Sequence, residues 1–342
     1  MKRTLSIASS STLFLVIAMT IIFSGCGGNS TKKLDMTQEF KDFIKTYEAK
    51  VTPLFKEMNL ANFKAAVSGK PEDYKIATDL RIKVTKIYTN KDDFAKLKKF
   101  KESNSITDEL LKRQLEILYN SYLSNQIDDK KLEEMIKLQS KIEEEFNTFR
   151  ADVNGKKLTD NEIEEILRNS KKSDELKAAW MGTKKSGEVV SADVIKIVKL
   201  RNEIAKELGF NNYHEMSLKL SDQDPKEIEK LFDELDNLTK DEFAKLKGEM
   251  DDYFAKRYNI KKEELMPWHY QNRFFQEAPQ IYPADIDTYY KGKDLVDLTT
   301  KYYNGVGLEI ADMVKKSDLF EKPGKNQHAF CQDIDNEGDV RV

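Results

Sequence analysis

Tyr213-His214-Glu215-Met216-Ser217-Leu218 is the stretch that comes nearest to a catalytic spacing. Two histidines at i and i+4 of a helix face one zinc ion, and a glutamate between them activates the bound water. Here the fifth position is Leu218, so the second ligand is missing and His214 reads as a surface or interhelix histidine. His269 and His328 are the only other imidazoles, too few for a local histidine-based zinc site. No phosphate-cradling glycine loop and no Gly-x-Ser-x-Gly elbow is present. Of the two cysteines, Cys26 and Cys331, the second reads as a small buried apolar residue rather than a nucleophile.

The wider composition narrows the class. The 342 residues carry 57 Lys plus Arg against 60 Asp plus Glu, a net charge of −3, with 10% aromatics. That aromatic content and low net charge belong to a folding chain. The absence of a basic surplus argues against a nucleic-acid partner. Two cysteines, 14 Gly and 7 Pro exclude a disulfide scaffold and a collagen-like chain.

The first residues have the layout of an export signal. Lys2 and Arg3 precede an apolar run from Leu13 to Phe23, and Ser24-Gly25-Cys26 comes directly after. The run is short for a bilayer span, which needs about 20 residues. Cys directly after Ser-Gly resembles the lipobox of bacterial lipoproteins, with Phe23 where that motif usually has Leu. The expectation is a signal peptide over 1–25, acylation at Cys26, a tether over 26–34 and one domain over 35–342. Lipid chains would then hold the protein to the cell membrane on its extracytoplasmic face.

The rest of the chain reads as helix after helix. Phe40, Phe43, Ile44, Tyr47, Val51, Leu54 and Phe55 recur at spacings of three and four, with Pro53 marking a kink or boundary. Similar stripes run through Leu111–Tyr122 and Leu132–Phe146. Asn154-Gly155 predicts a small hairpin between Arg150 and Lys157. Thr159 to Glu162 is a capping box. Ser191 is expected to open a helix that Gly209 closes. Asp224-Pro225 is expected to open another, with Gly248 a candidate break. Asp294 to Asn304 reads as helix and Lys316 to Gly324 as loop. A hairpin over Gln327–Val342, turning at Asn336-Glu337-Gly338, ends the chain. The fold class is all-α, with long helices and one or two small β-hairpins.

Four stretches in this order carry a family resemblance. They are Glu175-Leu176 with Trp180-Met181-Gly182, then Leu200-Arg201-Asn202 through Gly209-Phe210, then the aromatic run around Trp268. The fourth is Lys316-Ser317 through Glu321-Lys322-Pro323 to His328-Ala329. The sequence thereby resembles the angiotensin-converting-enzyme-like zinc metallopeptidases, the peptidyl-dipeptidase A family. That resemblance implies a long-helix, cleft-forming fold, a peptide substrate and zinc as the full-length family's cofactor. It matches His328 to the histidine that hydrogen-bonds the substrate backbone. Ala329 matches the residue whose main chain pairs with the peptide as an added strand. Gln271 stands one position away from the family's carboxylate-binding glutamine and is left unassigned.

The family's His-Glu-x-x-His is absent from these residues. The expectation is therefore a C-terminally truncated, inactive product with no catalytic and no metal residue of its own, marginally stable and prone to associate. The alternative is a non-catalytic helical lipoprotein acting as a binding or scaffold module.

Overall fold

Helix starts in this chain are written in short polar side chains, and the computed structural model, which describes residues 36–285 and 287–342, shows them in use. Asn90, Asp108, Asp128, Asn212, Asp224 and Asp294 each accept a backbone N–H from the first turn of the helix they precede. Such a cap satisfies donors that have no partner inside the helix. At Thr159 the box is complete: its hydroxyl accepts from the Glu162 N–H, and the Glu162 carboxylate accepts from the Thr159 N–H at 2.8 Å.

Eleven α-helices occur among the described residues. They are α1 Thr37–Ser68, α2 Pro71–Tyr88, α3 Lys91–Ser103, α4 Glu109–Leu123, α5 Asp129–Thr148, α6 Asp160–Asn169, α7 Ser173–Glu207, α8 Tyr213–Leu220, α9 Pro225–Tyr258, α10 Leu295–Gly305 and α11 Ala311–Lys316. Two antiparallel hairpins complete the set. β1 (Ala151–Val153) pairs with β2 (Lys156–Leu158), and β3 (Gln332–Asp333) with β4 (Val340–Arg341). The all-α class holds.

Four features differ from the sequence reading. α1 runs unbroken through Pro53, because buried residues on both sides of it, Phe40 and Val51 before and Phe63 and Ala65 after, hold one helix. Ser191 opens nothing: α7 passes through it, and its hydroxyl donates back to the Glu188 carbonyl within the helix. The buried series Leu176, Ala179, Thr183, Val190, Ile197, Leu200 and Ile204 is what keeps α7 continuous. α9 likewise does not break at Gly248. α11 adds a short helix just ahead of the loop expected from Lys316.

Two core groups position the site and its surroundings. In one, Phe40 of α1 packs with Leu97 and Phe100 of α3 and with Leu115, Leu118 and Tyr122 of α4. In the other, the first hairpin, α6, the start of α7 and the end of α9 share Ala151, Ile163, Leu176, Ala179 and Phe254. Gly182 permits that closeness, since a Cβ there would sit 3.0 Å from the Asp152 carbonyl oxygen. The Trp180-Met181-Gly182 stretch is therefore a helix face shaped to receive a hairpin.

Candidate peptide-binding strand

His328, at a bend, and Ala329 lie on an irregular segment ahead of β3 that three separate clamps hold in place. Upstream, the loop after α11 is pinned where Gly69, at φ +65°, meets Gly324: a Cβ on Gly69 would fall 1.9 Å from the Gly324 oxygen. The Asn326 N–H donates to the Ala66 carbonyl at 2.8 Å. Gln327 then grips two elements at once, accepting from the Asp160 N–H at 2.6 Å and donating to the Phe149 carbonyl at 3.4 Å. Downstream, Asn59 of α1 donates to the carbonyls of Asp333 and Ile334, and Ile334 is fully buried.

Between these clamps the chain is open. No described residue hydrogen-bonds a backbone group of Ala329, Phe330 or Cys331, because β3 begins only at Gln332. The expected hairpin over Gln327–Val342 is thus two residues long in each strand. Its start stays unpaired because the Ser317 hydroxyl and the Asp318 N–H hold Val342 instead. An unpaired edge presents N–H and C=O groups to any second strand that arrives.

Aromatic and polar side chains both surround that edge. The His328 imidazole lies on the Phe146 ring, with centroids 5.7 Å apart and planes 7° from parallel. Phe330 meets Phe63 of α1 edge-on at 5.9 Å. A cavity of about 170 Å³ lies between Phe63, Val67, Phe320, His328 and Val342. Its floor is held by Lys325, which donates to the Asp318 carboxylate at 2.8 Å and to the Phe320 carbonyl at 2.9 Å. The Lys322 and Lys325 ammonium groups keep the Asp318 carboxyl below its ordinary range. A second cavity of about 380 Å³, with Tyr74, Arg81, Glu143 and Asn147 on its wall, opens beside Phe330 and Gln332.

The other candidates resolve differently. Cys331 is an exposed free thiol, which corrects the buried reading: the unpaired edge leaves it on the surface. His214 is exposed on α8. His269 is 1% exposed and both ring nitrogens are engaged. Its Nδ1 accepts from the Met266 N–H at 2.9 Å, so Nε2 carries the proton and donates to the Ser173 oxygen, also at 2.9 Å. A Ser–His pair with that tautomer cannot take the serine's proton. It ties the Pro267–Tyr270 turn to the start of α7, and burial pulls the His269 pKa down. The Trp268 region is this four-residue 3₁₀ turn, and Trp268 packs on Trp180 at 6.2 Å. Gln271 donates to the Arg168 carbonyl.

Arg273 is the positioning residue that spacing did not reveal. It pairs with Asp160 and Glu164 of α6, each at 2.7 Å, and is nearly buried. Its one signal in the sequence is a lone cation inside an aromatic-rich run.

Zinc, expected from the resemblance, does not fit these residues. Both His269 nitrogens are engaged, and no three His, Cys, Asp or Glu side chains converge among the described residues. No described helix is long and apolar enough to cross a membrane, and Cys26 lies outside the described residues.

A family model described as angiotensin-converting enzyme matches residues 34–342. No curated protein matches the chain.

Proposed function

From its membership of the angiotensin-converting enzyme family of peptidases, we propose that the chain holds an extended peptide as an added strand along Ala329–Cys331 and does not itself cleave it. The observation that carries this reading is the set of unpaired backbone groups of Ala329, Phe330 and Cys331, held open between two clamps and flanked by two cavities. Main-chain hydrogen bonds give such a complex its affinity, and pockets for alternate side chains give it selectivity. The ring nitrogens of His328 have no bond to a described residue, so one can donate to a peptide carbonyl while Phe146 holds the ring plane. Stacking restricts the ring and lowers the entropy lost on binding.

Cleavage needs a Lewis acid or a positioned base; the proposal gives His328, the imidazole beside the strand, a hydrogen bond to the peptide and no part in proton abstraction. The chain contributes recognition. Attachment to the cell membrane through acylated Cys26 belongs to the same proposal and rests on the signal layout alone. The alternative reading, a non-catalytic helical lipoprotein that kept the fold and acts as a binding or scaffold module, also predicts no cleavage and differs in requiring no peptide along Ala329–Cys331. The test is calorimetric titration with short unstructured peptides, followed by chromatography of the incubated mixture with and without chelator. Saturable binding with intact peptide supports the proposal. Chelator-sensitive cleavage, or no binding at all, contradicts it.

A further inference from the structure

Phe40 of α1 is fully buried against α3 and α4. Three and seven residues further on, Phe43 and Tyr47 continue the same face of α1. On α3, Asp93, Lys96 and Phe100 share a face by the same spacing. With Tyr122 of α4 these side chains wall a cavity of about 270 Å³. Phe43 meets Phe100 edge-on at 6.0 Å and Tyr122 at 6.5 Å. A concave site with aromatic walls and a few polar groups is the usual form of a small-molecule pocket.

The polar groups decide which ligand fits. Tyr122 is 1% exposed, and its hydroxyl has no hydrogen-bond partner among the described residues. Its neighbours Tyr47 and Tyr88 bond to each other instead, at 2.7 Å. Buried polar groups nearly always have a partner, so an orphan on a cavity wall points to a ligand. Burial is the main cause that raises the pKa values of Tyr122 and Tyr47, and carboxylates add to it, Asp93 for the first and Glu48 for the second. Glu39 and Asp42 bring two more carboxylates to the cavity wall. Lys50 and Lys96 also line it. Lys96 lies 3.5 Å from Asp93, with its own side chain largely in solvent. Exposed pairs of this kind contribute little, so Asp93 can exchange Lys96 for a ligand. A cation among aromatic rings, with acids close by, is attracted by both.

We propose that this cavity binds a small organic ammonium ion, whose N–H groups donate to the Tyr122 hydroxyl and the Asp93 carboxylate and whose apolar part lies against Phe43 and Phe100. The site is independent of the peptide strand, since none of its wall residues lines either cavity beside Ala329–Cys331.

The test is a ligand-observed NMR titration of the full chain at neutral pH with benzylamine, and with benzyl alcohol as its neutral counterpart of the same shape. Saturable binding of benzylamine is expected, about tenfold or more tighter than that of the alcohol. Tyr122→Phe should weaken benzylamine about tenfold, as loss of a hydrogen bond to a charged group does. Asp93→Asn should weaken the amine by a similar factor and leave the alcohol unchanged. Because the Tyr122 hydroxyl has no partner in the protein, the thermal melt of Tyr122→Phe should match or exceed the parent's. Lost binding in that variant is then not lost folding. No saturable binding of benzylamine, equal affinities for amine and alcohol, or unchanged affinity in both variants overturns the proposal. A destabilised Tyr122→Phe overturns it as well, since the hydroxyl would then already serve the fold.

Discussion

The imidazole of His328 lies 5.7 Å from the Phe146 ring and within 7° of parallel to it. One residue belongs to the last helix before the first hairpin, the other to the open edge near the chain's end, and their contact fixes where a peptide would meet the protein. Stacked aromatic pairs contribute about 0.5–1.5 kcal/mol beyond buried area. Phe146→Leu should therefore weaken peptide binding about two- to tenfold, with the fold intact. Calorimetric titration beside a thermal melt checks it; unchanged affinity would mean the stack does not serve binding.

Gly69→Ala should cost more than about 2 kcal/mol, since a left-handed backbone is strained for any side chain and the Cβ would fall on the Gly324 oxygen. Urea unfolding measures it. The loop carrying Lys325 should loosen with it, so peptide affinity should fall further than in a variant of equal stability elsewhere.

Thr159→Ala removes one half of a formed capping box and should lower stability by about 1 kcal/mol. Thr159→Ser should restore most of it. Chemical denaturation of the three proteins side by side gives the comparison.

Stability should fall on mild acidification. The buried His269 has a pKa below its ordinary value, so the unfolded chain binds more protons once the pH drops below about 6.5. Stability is then full above that value and lost progressively beneath it, before the carboxylates such as Asp318 and Asp339, whose pKa values are also lowered, begin to titrate. Protonation at Nδ1 would set a new N–H against the Met266 N–H. Thermal melts between neutral and mildly acidic pH should show this slope, flattened in His269→Gln.

Much of the helical frame was legible because its signals are local. Thr159, Asp224 and Asn154-Gly155 act on neighbours a few residues away, and each does in the structure what its type dictates. Ser191 and Gly248 misled for the same reason: their local preference is for a boundary, and the buried faces of α7 and the helical run of α9 override it. The exposure of Cys331 depends on β3 starting one residue later, which no pattern around the cysteine records. His328 and Ala329 entered through the order of four family-like stretches, not through spacing. Phe146 reads in the sequence only as the end of a helical stripe and Arg273 only as a cation in an aromatic run, because each works through a partner remote in sequence, His328 in one case and Asp160 with Glu164 in the other.

Cys26→Ser should shift the protein from the membrane fraction to the soluble fraction and change the mass of the processed chain, as loss of an acyl anchor requires. A variant that stays in the membrane fraction at the mass of the unprocessed parent would contradict the lipid anchor.

Amide hydrogen exchange at Ala329, Phe330 and Cys331, with and without a short unstructured peptide, tests the proposed strand pairing most directly. These backbone groups are unpaired in the free chain and should exchange fast. Saturating peptide should slow the amides on the side of the edge that it joins, while those of α9 stay unchanged. Protection elsewhere with none in this segment, or amides here already slow in the free protein, would contradict it.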